Sequence, residues 1–150
     1  METMVLDTDR LMSMSPAELD ALFRRSPAGT IPAGRGRGAA LVFPGTGLCA
    51  PIAALTRRLS WQGKIFDPGQ GMLRNLITPF GIQAIAARVY TGPSILDGQE
   101  CVVLDYSQTS LAARWVRDEI REVVPGLYLG IAFLWGAKVI YFCLEFEAGA

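Results

Sequence analysis

No histidine occurs among the 150 residues of this chain. Its absence removes the commonest general base, the commonest metal ligand and every Ser-His or Cys-His arrangement. Any catalysis must rest on carboxylates, Tyr, Lys, Arg or Cys. Cysteine is scarce as well: Cys49, Cys101 and Cys143 are an odd number without short spacing, and two of them lie among Val and Leu. They read as small buried hydrophobes rather than as a disulfide framework or a metal site. Net charge is also missing, because 14 basic and 14 acidic side chains cancel. No global field draws the chain toward nucleic acid or an anionic membrane, so a nucleic-acid partner is not expected. The N-terminus, with Glu2, Asp7 and Asp9, lacks the basic region and apolar run of a secretory signal, and the expectation is a reducing, cytoplasmic protein.

What the chain does have is a strongly apolar C-terminal third. Leu127 to Trp135 and Val139 to Phe146 are two strand-length stretches rich in Val, Ile, Tyr, Phe and Trp, broken by Gly136-Ala137-Lys138. The break has hairpin size. A membrane-spanning helix of about 20 residues could be drawn through the same segment, but the central Lys138, Gly136 and the β-branched and aromatic content favour the hairpin, so no span is expected. Sheet this apolar has to bury both faces.

The length suits one domain, with residues 1–33 as a helix-and-loop lead-in and 34–146 as the β portion. In the lead-in, Ser15-Pro16-Ala17-Glu18 forms a capping box with proline at the first helical position. The helix that follows carries Leu19, Leu22 and Phe23 on one face and stops at Ser26-Pro27. Strands are expected at Ala39–Phe43, Trp61–Phe66, Ile82–Tyr90 and Glu100–Tyr106, and a second short helix at Pro51–Leu59. Turn dipeptides at Pro68-Gly69, Gly92-Pro93 and Asp97-Gly98 separate them. Short strands at this spacing suggest a barrel or sandwich. Leu111 to Val123 reads either way. Helical spacing of Ala112, Val116, Ile120 and Val123 slightly favours a helix over an alternating strand.

Candidate sites are few. Gly34-Arg35-Gly36-Arg37-Gly38 precedes a strand instead of joining a strand to a helix, so it reads as a flexible connection and not a phosphate loop. No cofactor or metal is expected. The densest charge cluster is Arg114, Arg117, Asp118, Glu119, Arg121 and Glu122, beside the most apolar part of the chain. It is either a solvated face or a polar network at an apolar cavity, where a carboxylate could exchange a proton. Asp105 and Ser107 suit turn backbone bonds. Lys64 and Arg88 interrupt apolar strands, and a charge pointing into a barrel requires a partner.

The segments Trp61-Gln62-Gly63-Lys64-Ile65-Phe66-Asp67, Leu129-Gly130-Ile131 and Tyr141-Phe142-Cys143-Leu144-Glu145 resemble the small bacterial lipocalin-like proteins that carry a GXWXG segment, here replaced by Gly34 to Gly38. The resemblance spans Gly34 to Phe146. It implies an antiparallel calycin-like barrel with an apolar interior and would make Leu111 to Glu119 a strand. It transfers no ligand and no catalytic residue.

The expectation is therefore a mainly β, calycin-like barrel with short N-terminal helices that binds a hydrophobic small molecule of fatty-acyl, terpenoid or polyketide type. Polar contacts are expected from Arg88, Tyr90, Tyr106, Arg117 and Arg121, with Trp61 and Lys64 nearby. The alternative is an enzyme using the same cavity for isomerisation, cyclisation or dehydration, with Asp118 or Glu119 as acid/base and Tyr128, Tyr90 or Tyr106 as hydrogen-bond donor. A third reading is an interaction module whose apolar sheet is buried in a homodimer.

Overall fold

The capping box at Ser15 does form, with Ser15 and Glu18 bonding each other's backbone amides. It opens α2 (Pro16–Arg25), which follows a shorter α1 (Thr8–Met12) started by Asp7. The computed structural model describes residues 6–42, 61–77, 82–110 and 113–147. The expected helix at Pro51–Leu59 and Cys49 lie outside the described residues.

Eight antiparallel strands follow in chain order, each pairing with the next, and the last closes on the first. They are β1 (Gly34–Val42), β2 (Trp61–Asp67), β3 (Met72–Ile77), β4 (Ile82–Pro93), β5 (Glu100–Asp105), β6 (Val116–Val124), β7 (Leu127–Leu134) and β8 (Ala137–Glu145). The apolar C-terminal segment is thus a hairpin, but its turn is Trp135-Gly136 rather than the expected Gly136-Ala137-Lys138: Leu134 pairs with Ala137, and Ala137 and Lys138 already belong to β8. Closure leaves no free sheet edge among the described strands.

The doubly apolar sheet is explained by two cores. Inward-facing Phe66, Leu73, Leu104, Ile120, Phe142 and Leu144 line the barrel interior. On the outside, Leu11, Leu19, Leu22 and Phe23 of the two helices pack on Val103, Leu129, Ile131, Tyr141 and Cys143. Each fully buried leucine of that layer contributes about 1.5–3 kcal/mol. The chain's own helices thus cover these outer-face side chains.

Two expectations are corrected, and one strand is added. Gly34 to Gly38 is not a connection but the start of β1, paired with both β2 and β8. Gly36 is required by close approach: a Cβ there would strike the Phe146 ring, and one at Gly63 of β2, which pairs with Arg37, would strike the Gly36 carbonyl. Leu111 to Val123 is not a helix; its described part from Val116 is a strand between β5 and β7. Helical spacing misleads here because both faces of β6 are buried, so charged residues occupy covered positions and the period-2 signal is lost. Strand β3 had no counterpart among the expected elements.

Candidate functional site

Strand alternation sends Lys64 and Phe66 of β2 inward, and the register sets Lys64 opposite Asn75 of β3. On the far side of β3 the pairing shifts by one residue, leaving Ile85 of β4 at a positive φ of 57°. Asn75 secures this bulge by donating its amide to the Ile85 carbonyl at 2.8 Å. Tyr106 follows β5, and Asp118 lies on the inward face of β6 beside Ile120.

These four side chains meet inside the barrel. The Lys64 ammonium donates to Asn75 Oδ1 at 2.8 Å and to the Tyr106 hydroxyl at 2.6 Å, and it lies 3.1 Å from Asp118 Oδ2. Asn75 also donates to Tyr106 at 2.9 Å. Lys64 and Asp118 are only 3% and 5% exposed. The ammonium sits 5.3 Å from the Tyr106 ring centroid and 5.5 Å from that of Phe142, whose ring occupies the space a side chain at position 130 would take. Burial alone pushes the Lys64 ammonium down, but the Tyr106 and Asp118 oxygens outweigh it and hold its pKa above the usual value. Burial raises the Tyr106 phenol, with Asp118 adding and Lys64 opposing. Near neutral pH the cluster holds a lysine cation and a protonated tyrosine.

One bond in the cluster is weak. Tyr106 accepts from Lys64 and Asn75, and its own proton goes to Asp118 Oδ2 over 3.4 Å, longer than the 2.5–3.0 Å of a normal O–H···O bond. The hydroxyl therefore has a donor only loosely committed. An oxygen of a bound molecule could take it at little cost.

The other expected site residues are not brought here. Glu119 and Arg121 project from the opposite face of β6. Glu119 is 0% exposed and accepts from Ser94 Oγ at 2.5 Å, the Ile95 amide at 2.8 Å and Arg117 Nε at 3.0 Å. The nearby Cys101 thiol is pushed up to about 12 by burial, with Glu119 adding to it. Arg121 bonds both Asp97 oxygens, at 2.8 Å each, and the carbonyls of Phe23, Gln99 and Glu100. Those bonds use all five guanidinium N–H groups, so Arg121 clamps α2 and the 94–99 turn to the barrel wall. Arg88 and Tyr90 point outward, Tyr90 donating to Asp105 at 2.8 Å. The side chain of Trp61 lies outside the described residues.

Tyr128 faces inward near the opposite end, where it donates to the Thr30 carbonyl at 2.7 Å. There the 26–33 segment crosses the barrel, with Ile31 against the core and Phe146 edge-on to both Phe66 and Tyr128. Outside this end lies an open cleft of about 660 Å³, walled by Arg35, Arg37, Glu145 and Glu147 and floored by Tyr128 and Phe146. Both charge signs line it.

This fold has a solved counterpart. The crystal structure of a protein from Thermomonospora curvata matches with a TM-score of 0.68 at 21% identity, covering 89% of this chain and 88% of that one. The likeness is one of fold. No family model matches the chain, and no curated protein matches it.

Asn75 was missed by sequence reasoning. The available signal was an amide in an inward position of Met72-Leu73-Arg74-Asn75-Leu76-Ile77, visible only once that stretch is read as a strand.

Proposed function

We propose that this calycin-like barrel binds a hydrophobic small molecule, of fatty-acyl, terpenoid or polyketide type, and holds the molecule's single polar end at Lys64, Asn75, Tyr106 and Asp118. The observation that carries the reading is the loosely committed Tyr106 proton beside a lysine cation in an otherwise apolar interior. A carbonyl or carboxylate oxygen would accept from Tyr106 and lie within reach of the Lys64 charge. A purely structural core gains little from such a cluster, because apolar residues of similar volume are often as stable. No helix among the described residues is long and apolar enough to cross a membrane.

A second reading is favoured by the Tyr106–Asp118 contact. A carboxylate next to a phenol that is free to turn its proton elsewhere supports isomerisation: Asp118 takes a proton from carbon beside the carbonyl, Tyr106 donates to the oxygen, and the proton returns to a different carbon. Dehydration or cyclisation could use the same pair.

One experiment tests both. Native mass spectrometry of the purified protein should show a bound lipophilic mass, and a fluorescent fatty-acid probe should bind and be displaced by lipid extracts. Tyr106→Phe and Lys64→Met should weaken binding of polar-headed ligands by about tenfold or more, the loss of a charge-assisted bond. If both variants bind such ligands as the wild type does, or nothing lipophilic binds at all, the cluster is not an anchor. Retained affinity with turnover of a candidate substrate reduced about 10²-fold or more would favour the enzyme.

A further inference from the structure

Two tryptophans stand in solvent at the barrel end nearest the buried cluster. Trp135 is 66% exposed and Trp115 is 51% exposed, although large apolar side chains elsewhere are mostly covered. Their rings lie 6.2 Å apart, and the Trp135 amide donates to the Trp115 carbonyl at 3.2 Å, which ties the β7–β8 turn to the chain entering β6. The Arg114 guanidinium stacks 4.6 Å from the Trp115 ring. Neither indole belongs to the barrel core or to the layer beneath the helices.

The turn itself is unusual. Trp135 and Gly136 have φ values of 51° and 82°, so both central residues of a two-residue turn are left-handed. That turn prefers Asn-Gly, and a bulky residue at its first position is strained. The chain thus keeps a strained, solvent-exposed tryptophan where asparagine would fit better. Strain of this kind clusters at functional positions.

We propose that the Trp115–Trp135 tip, with Arg114 beside it, docks the protein onto the headgroup region of an anionic lipid bilayer. Area selects this occupant. Two aromatic side chains bury about 150–250 Å² each, whereas a stable protein interface takes about 800 Å² per partner. A contact of that size cannot supply a stable dimer interface, but lipid yields around small protrusions. Indoles favour the headgroup level, and a guanidinium stacked on one of them is placed to meet lipid phosphates. The neighbouring Lys138 and Arg117 are paired with Asp20 and Glu119, so insertion rather than charge dominates, and Arg114 sets the preference for anionic lipid. The inference is independent of what the barrel holds.

The test uses the full chain with phosphatidylcholine vesicles, with and without phosphatidylglycerol, read by co-sedimentation and by quenching of tryptophan fluorescence with brominated lipids. Binding and quenching are expected, stronger with phosphatidylglycerol. Trp135→Asn supplies the preferred turn residue, so it should raise the melting temperature while weakening partitioning about tenfold. Arg114→Gln should keep binding and lose the anionic preference. The proposal is overturned if the wild type ignores both vesicle types, or if Trp135→Asn and a Trp115→Ala variant with unchanged melting temperature bind as the wild type does. It is equally overturned if the tip mediates a concentration-dependent dimer in sedimentation velocity that Trp135→Asn abolishes.

Discussion

Lys64 and Asp118 face each other over 3.1 Å inside an apolar wall, and the stability of that pair depends on keeping both partners. Removing one leaves the other charge buried, so Asp118→Ala should cost about 3–5 kcal/mol in urea unfolding. The double change Lys64→Met, Asp118→Leu should cost far less and could stabilise. An additive double variant would show that the two charges do not interact. The pH dependence has a definite sign. Both Lys64 and Tyr106 have folded pKa values raised above 10.5 and 10.0, so folding favours their protonated forms. Their contribution is complete below those values and is lost as pH rises through the higher folded ones. The same unfolding series should therefore show an alkaline fall in stability that Lys64→Met flattens.

At the scale of elements, Arg121 is what fastens α2 to the sheet. It bonds the Phe23 carbonyl at the helix end and stacks 4.4 Å from the Phe23 ring, while gripping Asp97 in the 94–99 turn. Arg121→Met keeps much of the volume but removes five bonds, the two to Asp97 and those to the Phe23, Gln99 and Glu100 carbonyls. Amide hydrogen exchange should accelerate in α2 and residues 94–99 while β2 and β3 remain protected. Uniform protection in the variant would mean that the apolar contacts of Leu19, Leu22 and Phe23 suffice. The Asp97 carboxyl is held below its usual pKa chiefly by the Arg121 bonds, so the clamp contributes fully above the ordinary carboxylate range and weakens as pH falls through the folded value.

For the whole molecule, the helices act as a lid over sheet that would otherwise be exposed on its outer face. Deleting residues 1–25 uncovers Leu129, Ile131, Tyr141 and neighbouring apolar side chains of β7 and β8. A patch of that kind promotes association. The truncated chain should bind a hydrophobic dye and self-associate in size-exclusion chromatography. A truncated protein that stays monomeric with an unchanged melting temperature would show that the barrel needs no cover.

Local sequence determined the elements whose signals lie within a few residues of one another. The capping box at Ser15 specifies α2 because both of its partners are on the same turn, and the hairpin at Trp135-Gly136 follows from β-rich stretches around a glycine. The barrel class followed from short strands too apolar on both faces to be left open. Tertiary structure decided the rest. Whether Leu111 to Val123 is helix or strand depended on β5 and β7 lying on either side, which no window of the chain contains. It also separated neighbours in the charge cluster: Asp118 went inward to Lys64, while Glu119 and Arg121 went outward to the 94–99 turn and α2. Adjacent residues on a strand point to opposite faces, and what waits on each face comes from chain far away. Lys64 meets Tyr106 and Asp118 across the barrel interior only because β8 closes on β1.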